Sequence, residues 1–295
     1  MSTAATTLWV HEHLRANPMS APRLLVIGGS GFLGRHTVQW ARGSGLDVHA
    51  TYLTHGPESG VEIERWHHCD ILDTDSVEKL FSDVTPTAVI NTAYRQNGER
   101  AGEICSTGAH NIAAASATAG ARIVHISTDL VFDGNLGHPY REQDLACPIS
   151  DYGRAKLRGE ELVTAANDDS IIARTSIIYG RPDAPQERLV ERAVREGGIS
   201  FFTDEWRNPG HVEHLAAAVG KLATELTTTG VLHVAGTDRV NRLQFAQFLA
   251  ASMDLDPSGL TGGPADRSLG PRPSDVSLDT TAAAALGLAL PGLAK

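Results

Sequence analysis

The chain has 295 residues, of which 41% are hydrophobic and 20% are charged, a balance typical of a globular protein with a sizeable core. Its formal net charge of −10 argues against nucleic acid or an anionic membrane surface as the main partner. No apolar run reaches the length of a membrane span, and the N-terminus lacks the pattern of a signal peptide. We therefore expect a cytoplasmic protein.

Three cysteines, Cys69, Cys105 and Cys147, are widely spaced and form no CxxC pair. This usage is typical of a reducing compartment and predicts buried free thiols instead of disulfides. His67 and His68 precede Cys69 in the segment WHHCD, but adjacent residues of a strand point to opposite faces and cannot chelate one ion together. We therefore expect no metal site.

Residues 1–22 show no pattern of a folded element and are interpreted as an N-terminal extension. From residue 23 onwards, short apolar and β-branched runs alternate with helical patterns. Predicted strands cover 23–28, 47–52, part of 61–71, 87–93, 121–127, 170–176 and 230–236, and predicted helices include 74–82, 100–119 and 153–166. This alternation predicts βαβ units, and hence an α/β fold of the Rossmann type with a doubly wound, mostly parallel sheet.

The segment GGSGFLG (28–34) follows the first predicted strand and opens an amphipathic helix. In this context Gly28 allows a sharp turn, Gly31 lets a pyrophosphate approach the backbone, and Gly34 lets the helix pack closely on the strand. Free N–H groups at the start of the helix would point at the anion. A plain strand-to-helix turn could use the same glycines, so the dinucleotide interpretation depends on the rest of the chain.

The second predicted strand ends in HATYLTH and carries no Asp or Glu at its tip, where NAD-binding proteins usually have an acidic residue for the ribose. This absence favours NADP(H) over NAD(H), although no arginine stands there to bind the 2′-phosphate. Asp70, after the next predicted strand, is a candidate for a hydrogen bond to adenine. A capping or turn aspartate is the alternative interpretation.

The predicted strand ARIVHIS ends in Ser127, Thr128 and Asp129, and catalytic groups of open α/β sheets collect at such strand ends. Further along the chain, Tyr152 and Lys156 lie four residues apart and thus on one face of a predicted helix. An ammonium beside the phenol should lower the tyrosine pKa from about 10 and make it an acid–base catalyst. For the spacing alone, a surface Tyr–Lys pair is the alternative.

Beyond about residue 180 the pattern changes to loops with intervening helices, and 256–275 is so rich in Gly and Pro that we expect it to be irregular. We assign residues 23–180 to a nucleotide-binding domain with later returns near 211–236. Residues 181–295 are assigned mainly to a smaller, C-terminal substrate-binding lobe.

Several stretches of the chain resemble the extended short-chain dehydrogenase/reductases and, among these, the dTDP-4-dehydrorhamnose reductase family. They are VIGGSGFLGRH, VINTAY, ARIVHISTDLVFDG, YREQDLACPISDYGRAKLRGEE, ARTSIIYG and RPSDVSLDTT, and they extend from about residue 23 to the end. The resemblance implies a catalytic triad of Thr128, Tyr152 and Lys156. It also places the loop that begins at Ser176 beside the nicotinamide.

The activity implied by this resemblance is NAD(P)H-dependent reduction of a nucleotide-linked 4-keto-6-deoxysugar. Thr128 would orient the ketone oxygen, Tyr152 would protonate it, and Lys156 would hold the nicotinamide ribose. Arg207, in TDEWRNP, is assigned to the substrate diphosphate, with an exposed loop charge as the alternative. The candidate cofactor-binding residues are Gly28, Gly31, Phe32, Leu33, Gly34, Asp70, Ala93, Ser127, Tyr152, Lys156 and Ser176. The family likeness also suggests a homodimer.

The chain departs from the family pattern at NTAYRQNGERAGE, which would border the substrate, so the sugar stays undetermined. Two other functions remain open. An epimerase or dehydratase is disfavoured because Leu130 follows Thr128 and Asp129, where dehydratases carry a glutamate. A non-catalytic binding subunit, such as the regulatory subunit of methionine adenosyltransferase, shares the fold, and fold alone does not exclude that role.

Overall fold

The computed structural model of the chain describes residues 22–57, 65–180, 184–266, 268 and 270–293. The predicted N-terminal extension lies outside the described residues except for its last residue, and so does the first part of the segment 61–71. None of the described helices combines the length and the apolar character that a membrane crossing requires.

The described strands and helices alternate along the first two-thirds of the chain. The strands are β1 (Arg23–Ile27), β2 (Asp47–Tyr52), β3 (Trp66–His68), β4 (Ala88–Asn91), β5 (Arg122–Thr128), β6 (Ser170–Thr175), β7 (Ile178–Tyr179), β8 (Ser200–Phe202), β9 (Trp206–Arg207), β10 (Gly210–His211), β11 (Gly230–His233), β12 (Val240–Asn241) and β13 (Thr261–Gly263). The helices are α1 (Phe32–Gly43), α2 (Thr74–Val84), α3 (Ala101–Glu103), α4 (Ala109–Thr118), α5 (Asp151–Ala166), α6 (Pro185–Glu196), α7 (Val212–Thr224), α8 (Arg242–Ser252) and α9 (Thr281–Ala285).

Seven of the described strands form one sheet, in which all neighbouring strands pair in parallel. The strand order is β11-β6-β5-β4-β1-β2-β3. Read from β3, the first six strands have the Rossmann order 3-2-1-4-5-6, and β11 adds a further edge strand. Each of the seven lies within a predicted strand segment, except that β5 extends one residue beyond its segment, so the predicted fold class is confirmed.

The apolar run of β1 is buried on both faces of the sheet, which explains why it lacks alternation. Leu24 and Val26 pack with α1 and α7 on one face, and Leu25 and Ile27 pack with α2 and α4 on the other. The helices therefore cover both faces, and the strand ends stay open at the carboxyl edge.

The predicted helix 100–119 contains a π-helical turn, Ile104–Gly108, between α3 and α4. The wide turn seats the Cys105 carbonyl against α5, where a Cβ on Gly159 would lie 2.2 Å from the Cys105 oxygen. On the other side, a Cβ on Gly108 would lie 2.6 Å from the side chain of Ile71. Tight packing on two sides thus accompanies the interruption of the helix.

A smaller apolar cluster beyond β6 is built from β7, α6, β8, α8 and the loop before β13, with Tyr179, Val190, Phe201, Phe245 and Leu260 among its members. The segment 256–275, expected to be irregular, contains a 3-10 turn and the strand β13, which pairs in parallel with β8. That prediction is wrong in part, because a Thr-Gly-Gly strand has little β propensity of its own and forms only on a partner strand.

The chain after residue 210 contributes to both parts of the molecule. Helix α7 packs on α1, and β11 joins the main sheet. Ala283, Leu288 and Leu290, near the C-terminus, also belong to the apolar cluster of the main sheet. The division of the chain into a nucleotide-binding domain and a C-terminal lobe stays a prediction.

Two of the three cysteines are buried free thiols, as predicted. Cys147, however, is exposed, so the prediction is wrong for this residue. It lies in an irregular segment between β5 and α5, where no strand or helix of the described chain covers it.

Candidate active site

A cleft of about 740 Å³ opens at the carboxyl edge of the sheet, between the strand ends and the smaller lobe. Because parallel strands all end at this edge, residues that are distant in sequence meet there. The predicted site residues that line the cleft are Gly28, Gly31, Phe32, Leu33, Gly34, Asp70, Ala93, Ser127, Thr128, Tyr152, Lys156, Ser176 and Arg207. The fold therefore brings all of them to one place.

The glycine loop between β1 and α1 needs glycine for backbone shape and for space. Gly28 has a φ of +75°, and its N–H donates to Thr51 Oγ1 at 2.9 Å. The Gly31 N–H donates to the Gly28 oxygen at 2.9 Å and closes the turn. A Cβ on Gly34 would lie 2.1 Å from the same oxygen, so helix and strand touch through their backbones.

The start of α1 presents backbone N–H groups that no side chain caps. Gly31 is the N-cap residue, and the first turn contains no acidic residue. Uncapped N–H groups and the positive end of the helix dipole together bind phosphate groups well. The loop and the helix start therefore fit the pyrophosphate of a dinucleotide.

The strand β2 ends against the cleft with Tyr52, Leu53 and Thr54, none of which is acidic. Asp70 lines the cleft, and its Oδ1 accepts a hydrogen bond from the Leu72 N–H at 2.9 Å. Asp70 therefore has the turn role given as its alternative, at a position that also borders the cleft.

Thr128 is the last residue of β5, and its Oγ1 accepts a hydrogen bond from the Leu130 N–H at 3.2 Å. The neighbouring Asp129 is buried and accepts a hydrogen bond from the Ser176 hydroxyl at 2.6 Å. Burial raises the pKa of Asp129, while the Arg207 guanidinium, 3.7 Å away, opposes this rise. Arg207 is itself only 7% exposed, so the exposed-loop interpretation of this residue is wrong.

Tyr152 lies in the first turn of α5, with its ring centroid 6.2 Å from that of Tyr94. Its hydroxyl has no hydrogen-bond partner within the described parts of the chain. Burial raises the pKa of Tyr152 above its usual value, and Cys105, Tyr94 and Asp129 add smaller effects of the same sign. The pKa lowering expected from Lys156 is therefore not found in this structure.

Lys156 is 2% exposed, and its ammonium position is fixed by two contacts beneath the cleft. Nζ lies 2.6 Å from the Ile126 oxygen and 3.1 Å from His125 Nε2. His125 Nδ1 in turn lies 3.2 Å from Asn91 Nδ2, and Asn91 and His125 are paired positions on β4 and β5. Burial lowers the pKa of both Lys156 and His125.

The Ser127 hydroxyl donates to Glu160 Oε1 at 2.5 Å, although Ser127 also borders the cleft. Glu160 is held by Arg174 through hydrogen bonds of 3.0 and 2.7 Å, and all three residues are buried. Tyr152, Lys156 and Glu160 are each one helical turn apart on α5. Helix α5 therefore carries a line of polar side chains. The last of them, Glu160, is hydrogen-bonded to Ser127 on β5 and to Arg174 on β6.

Three arginines face the cleft from the lobe side: Arg207, Arg242 and Arg272. Arg272 stacks on Phe202 and lies 3.4 Å from Glu205, whereas Arg242 donates to the Gln186 side-chain oxygen at 3.0 Å. Burial, followed by the neighbouring Arg207, lowers the pKa of Arg242 to about 10. Within the described residues Arg242 forms no salt bridge, so its charge is available to an anionic ligand.

Sequence reasoning missed four of these residues. Asn91 and His125 are polar interruptions in the strands VIN and RIVHIS, and a check of polar residues inside buried strands could have found them. Arg242 and Arg272 carry no local signal, because their loops and helices meet the cleft only after the lobe has folded.

Comparison with known proteins identifies the family. The model of the RmlD substrate binding domain family matches residues 22–291. The dTDP-4-dehydrorhamnose reductase of Mycolicibacterium smegmatis is 31% identical over 94% of this chain and 84% of its own length. The dTDP-4-keto-6-deoxy-D-glucose reductase of Streptomyces niveus is 33% identical over 84% of each chain. The beta subunit of methionine adenosyltransferase 2 from Pongo abelii is 27% identical over 90% of this chain and 83% of its own length.

Solved structures show the same fold. A dTDP-4-dehydrorhamnose reductase of Bacillus anthracis, determined with NADP, has a TM-score of 0.80 and 24% identity over 94% of this chain and 96% of its own. A Bordetella bronchiseptica enzyme determined with NAD has a TM-score of 0.80 and 18% identity over 92% of this chain and 90% of its own.

The family match, the sequence relatives and the strand order agree with one another. The chain belongs to the RmlD substrate binding domain family and is an oxidoreductase of the NAD(P)-dependent short-chain dehydrogenase/reductase type.

Proposed function

We propose that the protein uses NADPH to reduce a nucleotide-linked 4-keto-6-deoxysugar. The observation that carries this proposal is a single cleft that joins the glycine loop, the Thr128, Tyr152 and Lys156 side chains and a group of lobe arginines. The names of the Mycolicibacterium and Streptomyces relatives support the same substrate class.

When bound, the reduced nicotinamide supplies the hydride. The glycine loop and the N–H groups of α1 hold the pyrophosphate, and the end of β2 borders the adenosine. Since Tyr52, Leu53 and Thr54 place no negative charge there, a 2′-phosphate meets no repulsion from them. This arrangement supports a preference for NADP(H).

Tyr152 acts as the proton donor to the ketone oxygen. A donor must be protonated before the reaction, and the burial that raises the pKa of Tyr152 keeps the phenol protonated at neutral pH. Thr128, at the end of β5, orients the ketone oxygen, and Lys156 holds the nicotinamide ribose from below.

The lobe arginines bind the diphosphate of the sugar nucleotide. Arg242 has the least compensated charge of the three, while Arg207 is held in place by Asp129. Charge-assisted hydrogen bonds from guanidinium groups are well suited to phosphate oxygens. The diphosphate would therefore fix the position of the sugar in front of Tyr152.

The first test is a coupled measurement of coenzyme and substrate use. The purified protein is mixed with a dTDP-4-keto-6-deoxyhexose and either NADPH or NADH, and the absorbance of the reduced nicotinamide is followed. We expect a sugar-dependent loss of absorbance that is faster with NADPH. No loss with either coenzyme, although both bind, would rule out this substrate class.

The alternative of a non-catalytic regulatory subunit is less well supported, although the beta subunit of methionine adenosyltransferase 2 aligns with 90% of this chain and 83% of its own length. In that case the protein would co-purify with a synthetase and show no reductase activity. The epimerase alternative is less well supported, since the apolar Leu130 lines the cleft beside Thr128 and Asp129.

A further inference from the structure

Tyr94 presents an aromatic side chain to solvent inside the cleft. It lies three residues beyond the end of β4, lines the cleft and is 61% exposed. Aromatic rings usually bury much of their apolar surface, so a ring that stays open inside a cleft indicates a contact with a ligand. Neither coenzyme binding by the glycine loop nor diphosphate binding by the arginines accounts for this ring.

The backbone on both sides of Tyr94 is held in place. Before it, the Ala93 N–H donates to Asn91 Oδ1 at 3.1 Å. After it, the Arg95 carbonyl oxygen accepts a hydrogen bond from the Cys105 thiol at 3.4 Å, and Cys105 is buried in the π-helical turn. The exposure of the Tyr94 ring therefore belongs to an anchored segment and is not the result of a loop without contacts.

The Tyr94 ring is a neighbour of the proposed proton donor. The ring centroids of Tyr94 and Tyr152 lie 6.2 Å apart, and the ring planes are tilted by 58°, so the two rings do not stack face to face. Within the part of the chain that the structure describes, the Tyr94 hydroxyl forms no hydrogen bond. The ring thus borders the space beside Tyr152, where the substrate carbonyl binds in the proposed function.

The two carbon atoms beside the carbonyl of a 4-keto-6-deoxysugar differ in what they carry. C3 carries a hydroxyl group, whereas C5 carries the methyl group C6. The face of an aromatic ring offers dispersion and apolar contact, but it is no substitute for a hydrogen-bond partner of a hydroxyl group. The Tyr94 ring therefore suits the C6 side of the sugar better than the C3 side.

We propose that Tyr94 is a specificity-determining residue whose ring packs on the C6 methyl group of the sugar nucleotide and disfavours sugars with a hydroxyl group on C6. This inference rests on the proposed function, which supplies the sugar. A C6 hydroxyl group against the ring loses hydrogen bonds to water and gains no partner, and this cost selects the methyl group. Tyr94 lies in NTAYRQNGERAGE, the segment in which the chain departs from the family pattern.

A binding measurement with two unreactive ligands tests the contact without relying on turnover. dTDP-6-deoxyglucose and dTDP-glucose differ only at C6, and neither has a ketone that NADPH could reduce. In titration calorimetry of the full-length protein with NADPH, we expect the 6-deoxy ligand to bind about tenfold to a hundredfold more tightly, the usual discrimination by an apolar pocket. Equal affinities, or tighter binding of dTDP-glucose, overturn the proposal.

Two variants separate the Tyr94 ring from its hydroxyl group. Tyr94→Phe keeps the ring and should keep the preference, whereas Tyr94→Ala should bring the ratio of the two affinities close to one. Leu145→Ala is the control and should keep the preference, because Leu145 is an apolar side chain that is 84% exposed and does not line the cleft. An unchanged preference in folded Tyr94→Ala, or its loss in Tyr94→Phe, contradicts the role of the ring.

The kinetic measurement compares kcat/KM for dTDP-4-keto-6-deoxyglucose and dTDP-4-ketoglucose. The wild type should prefer the first substrate, and Tyr94→Ala should lose this preference while its affinity for NADPH stays unchanged. Weaker NADPH binding together with an unchanged preference at C6 would place the ring against the coenzyme and overturn the proposal.

The two measurements separate this inference from the proposed function. If the protein reduces neither ketone but its binding preference depends on Tyr94, the reductase function fails and the contact with C6 stands. If it reduces both ketones equally well, the function stands and the role of Tyr94 is refuted. If neither dTDP-sugar binds, both fail.

Discussion

The Tyr152 hydroxyl lies in the cleft without a hydrogen-bond partner among the described residues, one helical turn before Lys156. A partly buried phenol of this kind holds its proton tightly, because the charged phenolate is poorly solvated there. The residue is therefore suited to donate a proton during a reaction in which negative charge develops on a nearby oxygen. Its value as an acid depends on the substrate being bound next to it.

Replacing Tyr152 with phenylalanine removes the proposed proton donor and little else. We expect kcat to fall by about a hundredfold to ten-thousandfold, the usual contribution of general acid catalysis. Coenzyme binding and the midpoint of thermal unfolding should stay close to the wild-type values, since the hydroxyl forms no hydrogen bond with the described residues. Steady-state rates and a coenzyme titration measure both effects, and a variant with normal kcat would remove Tyr152 from the mechanism.

Arg242 provides a second prediction for a single residue. Arg242→Gln should raise KM for the sugar nucleotide by about tenfold to a hundredfold, the worth of one or two hydrogen bonds to a charged group, with less effect on kcat. Arg188→Gln is the matched control, because Arg188 is an exposed arginine on α6 of the same lobe. Equal KM values for the two variants would show that Arg242 does not contact the diphosphate.

Among the elements, the contact between β1 and α1 is the most constrained. The backbone of Gly34 in α1 packs directly against the Gly28 oxygen at the end of β1, with no space for a Cβ between them. This contact aims the uncapped N–H groups of α1 into the cleft. The same geometry that permits phosphate binding therefore leaves no space for a side chain.

Gly34→Ala should displace the start of α1, lower stability by about 1–3 kcal/mol and weaken coenzyme binding. Gly43→Ala is the control in the same helix, because no described atom beyond its chain neighbours and the helix backbone lies within 4 Å of a Cβ at that position. The control should be as stable as the wild type or up to about 1 kcal/mol more stable, since alanine favours helix. Denaturant unfolding and coenzyme titration of both variants separate packing from helix propensity.

The whole molecule joins a large doubly wound sheet to a smaller lobe across the cleft. The sheet supplies the glycine loop and the Thr128, Tyr152 and Lys156 side chains, and the lobe supplies Arg242 and Arg272. We propose that the coenzyme is bound mainly by the sheet and the sugar nucleotide by both parts. If so, binding of the coenzyme or of the sugar nucleotide would stabilise the folded protein against unfolding.

Coenzyme preference should therefore appear in thermal unfolding. A ligand present at one hundred times its dissociation constant stabilises the native state by about 2.7 kcal/mol. At equal concentrations NADPH should raise the unfolding midpoint more than NADH, because the end of β2 has no acidic residue to repel the 2′-phosphate. A larger shift with NADH would contradict the predicted preference for NADP(H).

Much of the fold follows from local patterns in the sequence. The strand segments, the glycine loop and the spacing of Tyr152 and Lys156 each leave a signal within a few residues. All seven strands of the main sheet lie at short apolar or β-branched runs between helical patterns, and several are nearly continuously apolar because they are buried on both faces. The Thr-Gly-Gly strand β13 could not be located, since it depends on its pairing with β8.

The amino-acid sequence by itself determined the doubly wound sheet and the set of side chains at its carboxyl edge, because apolar periodicity and glycine spacing are local properties. The tertiary structure decided the desolvation of Tyr152, the contacts of Lys156 with His125 and Ile126, and the arrival of Arg242 at the cleft. These depend on contacts between residues far apart in the chain, and desolvation and hydrogen-bond direction arise only when those contacts form.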